Sequence, residues 1–173
     1  MKIYDALKKD HVKVLSLLDE LISLGEKDKG RELLVQEIRD ELIPHSRAEE
    51  KLFYNSIRAL DADSGKVMHS FAEHFAAETL LRSLQVGEKV NVNWKKTAKA
   101  LREALSNHIR EEETELFALA QKVLTDQEAE QIGLAFERLK PEIKEEGFMK
   151  TSLDMVANLM PPRLNKAMLS EKR

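Results

Sequence analysis

Apolar residues recur at helical spacing along most of the chain. The first run, Leu7, Val14, Leu18 and Leu21, predicts a helix that stops in the stretch from Gly25 to Gly30. A second runs from about Glu32 through Leu34, Ile38, Leu42, Leu52 and Ile57 to the turn-forming Asp61-Ala62-Asp63-Ser64-Gly65. Pro44 falls inside it, where it removes one backbone hydrogen bond and crowds the carbonyl of Asp40, so one helix kinked beside His45 is expected. A third helix is expected from Lys66 to Gln85 and, after a connection from Val86 to Asn93, a fourth from Trp94 to Leu124. Thr125 with Glu128 is a capping-box pair that opens a fifth, which Lys140-Pro141 is expected to end. Beyond it, a short amphipathic segment from Leu153 to Met160 precedes Pro161-Pro162 and a charged end. The expected organisation is a bundle over residues 1–140, with the fifth helix at about 126–140, and a tail over 141–173 that carries a short helix.

Composition agrees with an all-α chain and removes several functions. With 173 residues, 42% of them hydrophobic and only six Gly and four Pro, the chain can bury a real core in amphipathic helices. The net charge of −3 has its signs interspersed, which leaves no basic stripe for nucleic-acid phosphates or a membrane surface. No apolar run approaches the length of a spanning helix, and Met1-Lys2-Ile3-Tyr4-Asp5 lacks a signal peptide's apolar stretch, so a cytoplasmic chain is expected. The absence of cysteine removes disulfides, thiolate nucleophiles and cysteine-held clusters, so any metal must sit on nitrogen and oxygen.

The chemistry is carried by an internal repeat at an offset of 63 residues, which maps His11 onto His74, His45 onto His108, Glu49 onto Glu112 and Glu50 onto Glu113. Asp10 before His11 and Glu73 before His74 extend the match, as do Tyr54 and Phe117. Each half reads as an αα-hairpin with an early His and a later His-x-x-x-Glu, which predicts an up-down-up-down four-helix bundle in pseudo-two-fold repeat with additional C-terminal helices. An antiparallel hairpin returns to a given level after equal travel on either side of its turn. The midpoints of His11 and His45, of Glu49 and His74, and of His74 and His108 all fall in the predicted loops, so all six residues lie at one height.

They also face inward. Leu7, Val14 and Leu18 share a helix face with His11, Ile38, Leu42 and Leu52 with His45, Phe71 and Leu81 with His74, and Leu101, Leu105 and Leu119 with His108. Four imidazoles and two carboxylates in a core are costly unless hydrogen-bonded, charge-paired or bound to metal. Six ligands exceed the needs of a tetrahedral zinc site, and the symmetry suggests two ions, each with two imidazoles and sharing Glu49 and Glu112. Mixed imidazole and carboxylate ligation suits iron, and manganese and zinc are compatible with the same donors.

The ferritin-like di-iron bundles use Glu-x-x-His, and no such pair occurs here. With Asp10-His11, His45-Ser46-Arg47-Ala48-Glu49-Glu50, Glu73-His74 and His108-Ile109-Arg110-Glu111-Glu112-Glu113 in order, residues 1 to about 140 resemble the hemerythrin-like, or HHE cation-binding, family. The resemblance implies an oxo- or hydroxo-bridged di-iron centre, with His11, His45, His74 and His108 as terminal ligands and Glu49 and Glu112 as bridges. It also implies a small ligand such as oxygen, nitric oxide or peroxide, bound for sensing, storage or delivery. One departure stands out: the oxygen-carrying members have a fifth histidine one turn from the third-helix ligand, where this chain has Ser70 or Glu78. That departure raises a second reading, a redox enzyme acting on peroxide or ferrous iron. A third is an iron- or oxygen-responsive regulatory module that works through the tail. No catalytic residue and no protein partner is assigned.

The remaining polar residues near the motifs have plainer readings. Glu78 is expected on a solvated helix face and Tyr54 as a packed aromatic, with ligation in place of the missing histidine as the alternative for each. Glu50 and Glu113 lie about 100° round the helix from the ligand face, where they either accept a hydrogen bond from an imidazole or face solvent. His69 is read as a surface or supporting residue, the cluster Glu111-Glu112-Glu113 with Glu115 as a solvated face apart from Glu112, and Met155 and Met160 as caps on the bundle.

Overall fold

The computed structural model describes residues 1–25, 28–60, 62–86, 93–146, 160–164 and 166, and all its regular elements are helices. The first, α1, spans Ile3–Ser23. The second, α2, runs over Arg31–Glu49 and continues through a π turn, Glu50–Tyr54, into Asn55–Ala59. Ser64–Val86 forms α3. Trp94–Glu111 begins α4, which passes through a second π turn, Glu112–Leu116, into Phe117–Val123. The last long helix, α5, covers Asp126–Glu146.

Helices α1 to α4 make the predicted antiparallel bundle. Pairs α1/α2 and α3/α4 pack as hairpins, α1 also packs on α4, and α2 on α3. Pro44 is accommodated inside α2 and is itself buried. The core has two apolar layers. One, with Val14, Leu18, Leu21, Ile38, Leu42, Leu81, Leu101 and Leu105, fills the end nearer the hairpin loops. The other, with Leu7, Leu52, Phe53, Ile57, Phe117 and Phe136, fills the opposite end. Between them lies the level of the four histidines. Each fully buried Leu or Ile in these layers contributes about 1.5–3 kcal/mol.

The predicted capping box opens α5. The Thr125 hydroxyl accepts from the backbone N–H of Glu128 at 3.2 Å, and the Glu128 carboxylate accepts from the Thr125 N–H at 2.8 Å. Its other end differs from expectation, for α5 runs through Pro141 to Glu146. The physical reason is packing. Ile143 lies in the same buried layer as Phe136 and Leu139, so continuing the helix past the proline buries one more apolar side chain.

Helix α5 lies across α1 and α2, not across α3 and α4. Gly133 permits this approach: a Cβ there would stand 2.6 Å from the carbonyl oxygen of Met1 and 2.9 Å from the backbone nitrogen of Ile3. Met160 and Leu164 are buried in the same layer, as expected of Met160. The expected helix from Leu153 lies outside the described residues up to Met160, and so does Met155.

Candidate metal centre

All six predicted ligands are buried at the middle of the bundle. His11 comes from α1, His45 and Glu49 from α2, His74 from α3, and His108 and Glu112 from α4 and its π turn. The imidazoles form two pairs. His11 and His45 have ring centroids 5.1 Å apart, and His74 and His108 are 4.7 Å apart. Glu49 stands between the pairs, with Oε2 3.5 Å from His45 Nε2 and 3.3 Å from His74 Nε2. Glu112 Oε2 lies 3.2 Å from His11 Nε2. Donor atoms of Glu49, His74 and His108 all lie within 4.8 Å of one another.

Every imidazole has its other nitrogen on a carboxylate. The Nδ1–H of His11 donates to Glu113 at 2.9 Å, that of His74 to Glu50 at 3.0 Å, that of His45 to Asp10 at 3.2 Å and that of His108 to Glu73 at 2.9 Å. The four acceptors follow the repeat, so the pseudo-two-fold extends beyond the six predicted ligands. This bonding assigns the tautomer: each Nδ1 carries the proton and each Nε2 turns a lone pair inward. Of the two readings open for Glu50 and Glu113, the imidazole acceptor is the one the structure places. Asp10 and Glu73 take the same part. Their position immediately before His11 and His74 is the available signal.

The inward-facing atoms lack partners. Nε2 of His11 and both oxygens of Glu49 and of Glu112 are buried with no hydrogen bond. The Nε2 atoms of His74 and His108 face each other at 3.1 Å. Buried polar atoms are normally satisfied, and five orphans in one volume with two lone pairs opposed describe a place shaped for cations. The electrostatics carry the same strain. Burial, and then the facing Glu112, push the Glu49 carboxyl well above the ordinary carboxylate range. Burial works against the charge of Glu112, but Glu49 and His11 hold its carboxyl low. Burial brings the His45 imidazole down to about 4.

The first π turn begins directly after Glu49 and the second begins at Glu112, so both sit at the end of a His-x-x-x-Glu unit. Each inserts a residue into the helix register, so past Glu112 the fully buried positions are Leu116, Phe117 and Ala120, while the predicted Leu119 is only partly buried. Nothing in composition marks a π turn, and a strict helical period misses it.

Tyr54 is wholly buried and stacks on His74 with its hydroxyl 3.3 Å from Nε2, while its repeat partner is Phe117. The two halves of the centre therefore differ by one phenolic oxygen. Glu78 departs from the solvated face expected of it. It is 5% exposed and accepts from Arg47, whose guanidinium also donates to Glu50 at 2.9 Å. Arg47 thus links Glu78 to the carboxylate that holds His74, a role no sequence periodicity marks. Lys140 of α5 is a second such residue, donating to Asp10 at 2.7 Å beside Phe136, which stands edge-on to His45. His69 is 64% exposed.

Comparison with known proteins agrees with this architecture. The family model described as Hemerythrin HHE cation binding domain matches residues 2–120. A curated protein of Nostoc sp. named DNA nickase is 28% identical over 145 residues, which make up 84% of this chain and 41% of that protein. The chain therefore spans less than half of that relative's length. A solved structure of a hemerythrin HHE cation binding domain-containing protein from Mycobacterium kansasii superposes with a TM-score of 0.72 at 21% identity, covering 96% of this chain and 99% of that one. That likeness concerns the fold. No helix among the described residues is long and apolar enough to cross a membrane.

Proposed function

Because the chain belongs to the hemerythrin HHE cation-binding domain family, we propose that it holds two iron ions and uses them to bind oxygen or a related small ligand, nitric oxide or peroxide, for sensing, storage or delivery. The observation that carries this reading is the set of partnerless oxygens on Glu49 and Glu112 between two imidazole pairs. His11 with His45 would hold one ion and His74 with His108 the other, with the two glutamates shared. When bound, the ions supply open coordination positions and electrons for a small ligand.

The protein's own residues prepare that place. Asp10, Glu50, Glu73 and Glu113 fix the imidazole tautomers and hold the rings with each Nε2 turned inward. The apolar layers on either side keep bulk water out. Tyr54 sets an O–H beside one ion position and not the other. This asymmetry favours one alternative, a redox enzyme acting on peroxide or ferrous iron, because a phenol there can supply a hydrogen bond or a proton to a reacting ligand. The DNA nickase name belongs to the longer relative and is not carried over.

The test is to load the chelator-stripped protein with ferrous iron without air and then admit oxygen. Simple binding predicts a visible absorption change that reverses when oxygen is removed. Steady consumption of peroxide, or release of ferric iron, favours the enzyme. No change with oxygen, nitric oxide or peroxide refutes both.

A further inference from the structure

Among the described residues, one opening in the bundle reaches a carboxylate of the buried centre. A cleft of about 420 Å³ between the start of α3 and α4 is lined by Asp63, Lys66, His69, Glu111, Glu112 and Glu115. Its inner wall includes Glu112, a carboxylate of the buried centre that is 1% exposed and has no hydrogen bond on either oxygen. At its mouth the His69 Nε2 lies 3.5 Å from Glu73 Oε1 and 3.5 Å from Glu111 Oε2, and the donor atoms of these three residues all lie within 4.8 Å of one another. Lys66 is drawn to Glu115, so the remaining carboxylates leave the cleft negative.

The repeat supplies the comparison. The counterparts of His69 and Glu111 in the first half are Ala6 and Ala48, both fully buried. The counterpart of Glu73 is Asp10, which Lys140 neutralises under the cover of α5. A carboxylate that only orients a histidine therefore needs no imidazole beside it. On the open side Glu73 is divided instead: Oε2 accepts from His108 of the inner centre, while Oε1 faces His69 and the cleft.

We propose that His69, Glu73 and Glu111 form an outer site that captures a divalent first-row cation and passes it through the cleft to the buried centre. An imidazole with two carboxylates has the donor chemistry for ferrous, manganous, cobaltous or zinc ions. Its exposure makes it an exchangeable site, and Glu112, whose oxygens accept no hydrogen bond, gives the cation a next ligand further in. The proposal rests on the buried centre being a metal site.

The experiment uses the full chain, stripped with a chelator, and cobalt(II) as the probe, followed by its visible absorption and by metal analysis after gel filtration. The wild type should retain two cobalt ions per chain and bind a third weakly before filtration. The doubly substituted His69→Ala/Glu111→Gln chain should retain the same two ions, lose the weak third, and load at least tenfold more slowly at limiting cobalt. A Glu20→Gln chain, changed on the outer face of α1, should load like the wild type. Loading of the double variant at the wild-type rate, or persistence of its third equivalent, overturns the outer site while leaving the inner centre intact. Failure of the wild type to retain cobalt, by contrast, overturns the inner centre and the transfer together.

Discussion

Replacing Glu112 by leucine separates a metal-binding role from a structural one, because the two predict opposite signs. Glu112 is buried with no hydrogen bond on either carboxylate oxygen. A buried polar group left unsatisfied costs about 1–3 kcal/mol, and a leucine of similar size removes that cost. The opposing loss is the 3.2 Å contact with His11, whose ring keeps its bond to Glu113. The metal-free Glu112→Leu protein should therefore be more stable than the metal-free wild type by about 1–3 kcal/mol, which raises Tm by roughly 2–4 °C per kcal/mol for a chain of this size.

Adding ferrous iron anaerobically should reverse the order. An ion present at a hundredfold excess over its Kd adds about 2.7 kcal/mol to the wild type, whereas the variant lacks one of the shared carboxylates. The assay is thermal unfolding followed by circular dichroism, with chelator and with iron, for both proteins. A metal-free variant less stable than the wild type by 1 kcal/mol or more would show that Glu112 is there for the fold. A variant that gains as much from iron as the wild type would show that it is not a ligand.

Other outcomes follow from the same geometry. Glu50→Gln weakens the acceptor on His74 Nδ1 and the link to Arg47, so iron affinity should fall about 10–100-fold in a chelator competition with little loss of helix content. Gly133→Ala forces a Cβ to within 2.6 Å of the Met1 carbonyl, and the strain should cost about 1–3 kcal/mol in thermal unfolding despite alanine's better helix propensity. Arg163, and then the Thr125 contacts, hold the Glu128 carboxyl down at about 2 from an ordinary 4.5. Because the folded value is the depressed one, the stability is present above about pH 4.5 and lost as pH falls towards 2. Glu128→Gln should flatten the acid limb of the stability profile in that window, and an unchanged limb would refute the assignment.

Much of the fold was legible because its determinants are periodic. The run from Leu7 to Leu21 and the loop midpoints between the histidines follow from a 3.6-residue repeat and equal travel about a turn, and the helices lie where those rules put them. The adjacent acids Asp10, Glu50, Glu73 and Glu113 were visible as doublets with a histidine or glutamate, but spacing alone could not choose between a bond to an imidazole and a solvated face.

What stayed hidden depended on partners distant in sequence. Glu78 is buried because Arg47 of another helix meets it, and Asp10 is neutralised by Lys140, which α5 brings across α1 and α2. The helix through Pro141 persists because Ile143 reaches an apolar layer assembled from all four bundle helices and from Met160 and Leu164 of the tail. The π turns begin beside Glu49 and at Glu112, and a linear pattern has no symbol for an inserted residue.

The central claim is most directly tested by anomalous diffraction at the iron absorption edge from crystals of the iron-loaded chain. Two peaks are expected inside the bundle, one flanked by His11 and His45 and the other by His74 and His108, with Glu49 and Glu112 between them. A single peak, or peaks away from these six residues, would contradict the account.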